Sequence, residues 1–352
     1  MPRLTRFLIV VLLALVVYRP ASTQDIGDND PTVAVRQIDL AGQGREFLQD
    51  RVRRVSFLLV GGLHGDSETQ ALFQSLLSGF GGDPTLIVTE MSPWAASRVA
   101  AGIPDGSSVR LRGVDIEVVQ LARIVRELAA ANPKHRPVQE MLGALEGGYR
   151  TALAPGLLQL ARKLEDVKDD APGGIPLAVL LTKTLEVEVD RADPATADLP
   201  ASTRREQVMK SFFLTHYRSA AATGAKPKVA AVFGRNHMHR GIDRRGVPTL
   251  GNFMAEFAAS EGADTFNVAL FAAGGKVALG GVRDFDERGT DPAFAYLASV
   301  ARYPVTVFDM MPLRESLRRL PLATRTSLQE SLLYWADSYD VVVCYREVTP
   351  AR

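Results

Sequence analysis

The sequence is poor in the residues that usually mark a metal or redox centre. A single cysteine, Cys344, occurs in 352 residues. That excludes a disulfide framework and any zinc or iron–sulfur site built on clustered thiolates. Only five histidines are present, His64, His135, His216, His237 and His239, so imidazole chemistry has few carriers. Neither sign of charge is in excess, with 41 Lys and Arg against 40 Asp and Glu. No strong field draws the chain to nucleic acid, which is not expected as a partner. Gly (29) and Pro (20) are near ordinary usage, which excludes collagen-like and low-complexity classes.

What is present begins with an N-terminal segment of export type. Arg3 and Arg6 precede an eleven-residue apolar run, Phe7–Val17, followed by Arg19, Pro20 and the small polar residues Ala21, Ser22 and Thr23. A basic start, a short apolar stretch and a small-residue end make a secretory signal. Eleven residues give about 16 Å of helix, too short for a hydrocarbon core of ~30 Å. Residues 1–24 are therefore expected to be a signal peptide and the mature protein to be periplasmic or secreted. Membrane contact is expected only through this segment, if it stays uncleaved as an anchor. Residues 25–38 read as an Asp-rich linker, and 39–352 as one domain.

Within that domain, short continuous apolar runs alternate with helical patterns. Val55–Gly61, Leu86–Glu90, Val229–Gly234, Phe266–Phe271, Val305–Phe308 and Val341–Tyr345 each have the length and bounds of a strand buried on both faces. Val109–Val114 is a shorter candidate. Glu68–Phe80, Glu117–Ala131 and Arg204–Ala222 show helical spacing. This alternation predicts an α/β fold with a mostly parallel central sheet flanked by helices. Between Glu90 and Val229 the sequence is otherwise helix-forming, which predicts a large helical insertion over about 117–222 capping the sheet.

Ligands of open parallel sheets bind beyond the carboxyl ends of the strands. His64 follows the first strand in Gly61-Gly62-Leu63-His64-Gly65-Asp66-Ser67-Glu68, and Glu90 ends the second. Asp115 follows the short strand, and His237 and His239 follow the Val229 strand in Gly234-Arg235-Asn236-His237-Met238-His239. Three of five histidines and two acids thus fall on one sheet edge. Taken singly, each has a bland reading: a histidine bonded within its loop, an acid in an internal ion pair, His239 on the surface beside Arg240. His135 and His216 read as structural or exposed, and Cys344 as core. A zinc-carboxypeptidase reading starts from His64 but finds its acid, Glu68, one position late, and no Asn-Arg after Asp115.

Read in order, the segments resemble one superfamily. They are Gly61-x-x-His64-Gly65-x-x-Glu68, Glu90 ending Val-Thr-Glu, Gly113-Val114-Asp115, the helical Arg205-x-x-x-Met209, Gly234-x-x-His237, and the closing strand Tyr339–Tyr345 with Thr349-Pro350. The pattern is similar to that of the erythromycin esterases, the haem-binding ChaN-like lipoproteins and the metal-dependent TraB/TIKI-type proteases. Two departures stand out. The esterases carry Glu where this chain has Gly62, and Gly234-x-x-His237 is closer to the ChaN-like and TIKI-type segment than to the His-Asn-x-His of the esterases.

The resemblance implies an exported hydrolase of ester or amide bonds acting on a small molecule or peptide. His64, Glu90, Arg205 and His237 would form its site, with Glu68 and Asp115 as orienters and His239 in reserve. His64 would be a general base on water or a metal ligand, and Arg205 a forked donor to a carboxylate or oxyanion. If a cofactor is used, His64, Glu90 and His237 suit a divalent metal without any thiolate. The alternatives are a ChaN-like haem- or metal-binding protein, with Tyr149, Tyr217 and Met238 as further haem ligands, and an inactive member. His64→Ala and Glu90→Gln are expected to abolish activity and leave stability nearly intact.

Overall fold

The computed structural model describes residues 35–80, 85–103, 109–116, 118–164, 166–169, 174–193, 198–222 and 224–351. The expected signal peptide lies outside the described residues. None of their helices is long and apolar enough to cross a membrane.

The apolar runs do form strands. The chain order is β1 (Arg36–Asp39), α1 (Arg45–Arg53), β2 (Phe57–Gly62), α2 (Glu68–Leu77), β3 (Thr85–Thr89), α3 (Pro93–Ala100) and β4 (Val109–Gly113). Five helices follow: α4 (Leu121–Ala131), α5 (Arg136–Ala144), α6 (Ala154–Ala161), α7 (Leu177–Ala192) and α8 (Asp198–Ala221). Then come β5 (Lys228–Gly234), α9 (Leu250–Ser260), β6 (Thr265–Ala272), β7 (Lys276–Ala278), β8 (Val282–Asp284), α10 (Pro292–Val300), β9 (Val305–Asp309), α11 (Met310–Arg319), α12 (Ser327–Ser338) and β10 (Val341–Tyr345).

Eight strands pair in the order β1-β9-β10-β6-β2-β5-β3-β4. From β10 to β4 every pairing is parallel; β9 alone runs against the sheet, pairing antiparallel with both β10 and β1. The fold is thus α/β with a mostly parallel central sheet. Successive residues of each strand enter opposite cores. Phe57, Leu59, Val229, Ala231, Val342 and Cys344 face the thicker layer, with α3–α12. Leu58, Val60, Ala230, Val341 and Val343 face the thinner one, with α1 and α2. Leu58, Leu59 and Val60 are fully buried, each worth roughly 2 kcal/mol by removal from water.

The insertion shares the thicker core. Leu121, Ile124, Val125 and Leu128 of α4 form its apolar face and join the same cluster as the sheet residues. It is a cap continuous with the sheet. Cys344 is core as read, its thiol pushed up to about 12 by burial.

The linker reading of 25–38 needs correcting at its end. Arg36–Asp39 is an edge strand, antiparallel to β9 with Ile38 opposite Val307. Ile38 is the one apolar residue of Arg36–Asp39, so its pairing comes from its partner strand rather than from its own pattern.

Candidate active site

Strand order explains why residues far apart in sequence meet. β5 inserts between β2 and β3, so the carboxyl ends of β2, β5, β3 and β4 lie side by side. Gly62 stands opposite Gly234, and Thr89 opposite both Val232 and Gly113. His64, His237, Glu90 and Asp115 follow these four ends. Glycine permits the approach: a Cβ on Gly234 would lie 2.4 Å from His64 Nε2 and 3.2 Å from Glu90 Oε2. A Cβ on Gly113 would lie 2.3 Å from the Ser92 carbonyl oxygen, closing the route by which Asp115 N–H reaches Met91 O at 3.0 Å.

Glu90 is the hub. Its Oε1 accepts from Arg205 Nη2 at 2.9 Å and stands 3.3 Å from His237 Nε2. Its Oε2 accepts the Gly234 N–H at 2.6 Å and lies 3.8 Å from His64 Nε2. Arg205, from the first half of α8, also grips Asp115 through Nε at 2.8 Å and through Nη2. His237 donates from Nδ1 to Glu206 Oε1 at 2.5 Å, and Glu206 Oε2 accepts the N–H of Leu250, the first residue of α9, at 2.6 Å. Both nitrogens of His237 therefore face carboxylates, whereas the His64 side chain is 58% exposed.

These contacts set the charges. Burial opposes ionisation of Glu90, but the hydrogen bond and charge of His237, the His64 ring and the Gly234 N–H outweigh it and hold the carboxyl at about 2. Burial likewise opposes a charged His237, and Glu206 and Glu90 outweigh it, raising the imidazole to about 9. Burial also works against the Arg205 charge, which Asp115 and Glu90 restore and strengthen. The site holds a fixed imidazolium and a fixed guanidinium, each between two carboxylates.

Stability should follow. The raised His237 contributes fully below its ordinary value near 6.5 and loses that contribution as pH rises through about 9. The depressed Glu90 contributes above 4.5 and loses it as pH falls toward 2. The shared contact amounts to at most about 3 kcal/mol, counted once. Denaturant unfolding across pH should show this pair's plateau between about 5 and 6.5. In Glu206→Gln the alkaline decline should be flatter than in the wild type; an identical decline would refute the ionised pair.

No family model matches the sequence, and a search of curated proteins finds no match. Solved structures do match. Erythromycin esterase EreC, as a histidine mutant in its open conformation, superposes with a TM-score of 0.57 at 13% identity over 90% of this chain and 96% of that one. The fold is that of erythromycin esterase. A Bacillus cereus protein matches at 0.54 and 13% identity over 92% and 94% of the two chains. A succinoglycan biosynthesis protein matches at 0.53 and 14% identity over 87% and 91%. At such identities the likeness concerns architecture, and chemistry has to be argued from the site.

The other candidates lie elsewhere. His239 is buried, with Nδ1 3.0 Å from Ser338 Oγ and its ring 4.9 Å from that of Trp335. Burial lowers it to about 3, so it is neutral. A tight turn sends the two histidines of positions 237 and 239 to different surroundings. Glu68 accepts hydrogen bonds from the Thr349 N–H and hydroxyl, away from the hub. His216 is structural, as read: its Nε2 lies 3.1 Å from the Gly113 carbonyl, and burial lowers it to about 4.

Gly62, where the esterases carry Glu, has no room for a side chain. A Cβ there would lie 2.1 Å from Thr69 Cγ2. Thr69 in turn donates to Asp66 and accepts the Leu63 N–H. The residue that the sequence reading missed is Glu206. It sits within the quoted Arg205-x-x-x-Met209 segment, and an acid beside an arginine in a helix was its only signal.

The donor set does not fit a divalent cation. A metal at His64, Glu90 and His237 would need lone pairs that His237 lacks while both nitrogens face carboxylates. It would also stand against the Arg205 cation. Among the described residues, no group of three His, Cys, Asp or Glu is arranged to hold a metal ion. The further haem ligands are engaged too. Tyr149 donates to Glu188 at 3.0 Å, Tyr217 packs on Phe57 and Phe257, and Met238 is fully buried.

Proposed function

We propose that the protein is an exported hydrolase that cleaves an ester or amide bond of a small molecule or peptide with His64 as general base. The observation that carries this reading is the contrast between the histidines. His237 is locked as a buried cation by Glu206 and Glu90, while His64 is exposed and faces one oxygen of a carboxylate already ionised. At 3.8 Å that contact is an ion-pair distance rather than a hydrogen bond.

His64 removes a proton from water, and the hydroxide equivalent attacks the carbonyl carbon. Glu90 stabilises the imidazolium, which returns the proton to the leaving oxygen or nitrogen. Arg205 has Nε and Nη2 committed to Asp115 and Glu90; Nη1 is the edge left to meet the developing oxyanion. His237 serves as the charge that keeps Glu90 ionised rather than as a second base.

Purified residues 25–352 should hydrolyse at least one member of an ester and peptide panel, and chelator should leave the rate unchanged. His64→Ala should lower kcat by about 10³-fold with thermal stability within about 1 °C, since the side chain is exposed. Retained turnover in His64→Ala would rule out this base. A Soret band on haem titration, lost in that variant, would favour the binding reading instead.

A further inference from the structure

The loop that carries His64 is held from the far end of the chain. Ser67 N–H donates to the Thr349 carbonyl at 3.0 Å, and the two hydroxyls of these residues meet at 2.6 Å. The Thr349 N–H and hydroxyl donate to the Glu68 carboxylate at 3.0 and 2.7 Å. Asp66 forms a bridge to Pro350. The Gly65 carbonyl accepts two N–H groups, that of Ala351 at 2.8 Å and that of Ala278 at 2.7 Å.

Local structure fixes only half of this loop. Asp66 accepts the Thr69 N–H at 2.6 Å and its hydroxyl at 2.8 Å, which ties the loop to the start of α2. Gly65 has φ +77°, and a Cβ there would lie 2.4 Å from the Ala278 carbonyl oxygen. The His64 side chain is exposed and approaches Glu90 at 3.8 Å. Its position therefore rests on the backbone beneath it.

From this arrangement we infer that Thr349 and Glu68 are positioning residues for the catalytic base: together with Ala351 they form a clasp that holds the His64 loop at attack distance. The inference rests on the hydrolase reading above. The clasp is solvent-exposed, so each bond adds little to global stability, while a displacement of the base by about 1 Å can lower turnover by up to about 10²-fold. Small cost to the fold and large cost to kcat is the signature of positioning. It also gives Glu68, whose carboxylate is bonded to Thr349, a task outside the hub.

Thr349→Val removes the hydroxyl and Glu68→Gln the charge. Each should lower kcat by about tenfold with KM within about twofold, and Thr349→Ser should restore the wild-type rate. Hydrogen exchange read on the same full chain should accelerate at the Ser67 and Ala351 amides by about tenfold and stay unchanged in β2 and β5. Wild-type kcat in both variants would overturn the clasp, as would unchanged exchange at those amides. If the wild-type protein hydrolyses nothing, the hydrolase reading fails by itself. The exchange measurement then still decides whether the clasp orders the loop.

Discussion

Glu90→Gln is expected to destabilise the protein by about 3 kcal/mol and to abolish hydrolysis. One carboxylate stands between Arg205, His237, the Gly234 N–H and His64. Glutamine keeps the shape but removes the charge and turns an amide N–H₂ toward groups that are themselves donors. Breaking a buried pair by removing one partner typically costs about 3–5 kcal/mol. The lower end applies here because Arg205 keeps Asp115 and His237 keeps Glu206. At this chain length the loss corresponds to a fall in Tm of roughly 4 °C. From the sequence alone the same substitution is expected to leave stability nearly intact, because the partners that Glu90 holds are not visible there. A Tm within about 1 °C of wild type would refute the hub.

The second large effect is expected at a residue that touches no substrate. Glu206→Gln should drop the His237 imidazole from about 9 toward its ordinary value, because the largest of the interactions opposing burial is the Glu206 hydrogen bond. His237 would then lose its proton near neutral pH, and Glu90 would lose its charged partner. The alkaline limb of the activity profile should move down by about two pH units, and kcat at pH 8 should fall about tenfold. NMR titration of the His237 ring gives the shift directly. An imidazole still charged at pH 8 in the variant would show that Glu90 alone sustains it.

The two substitutions also mark how far the sequence could be read. The strands were legible because both their faces are buried, so Phe57–Val60, Leu86–Val88 and Val341–Cys344 are uninterrupted apolar runs. Strand ends then pointed to His64, Glu90, Asp115 and His237, and the structure places these residues, with Arg205, within one network. Glu206 was not legible, because its role needs a histidine 31 positions away and a helix start 44 positions away. Nor was the Thr349–Glu68 contact, which spans 281 positions. His239 misled for the opposite reason. Its neighbour in sequence belongs to the site, but its own surroundings are Ser338, Tyr334 and Trp335.

The position of β5 has a consequence for biosynthesis. β2, β3 and β4 emerge from the ribosome well before Lys228–Gly234, yet β2 and β3 meet only through that strand. Until it arrives, both present open edges, the condition that invites strand addition from other chains. The α4–α8 segment, synthesised in between, packs on the faces of the early strands and leaves those edges untouched. β2 and β3, which lead into His64 and Glu90, are bridged only once β5 takes its place between them and brings Gly234 and His237 with it.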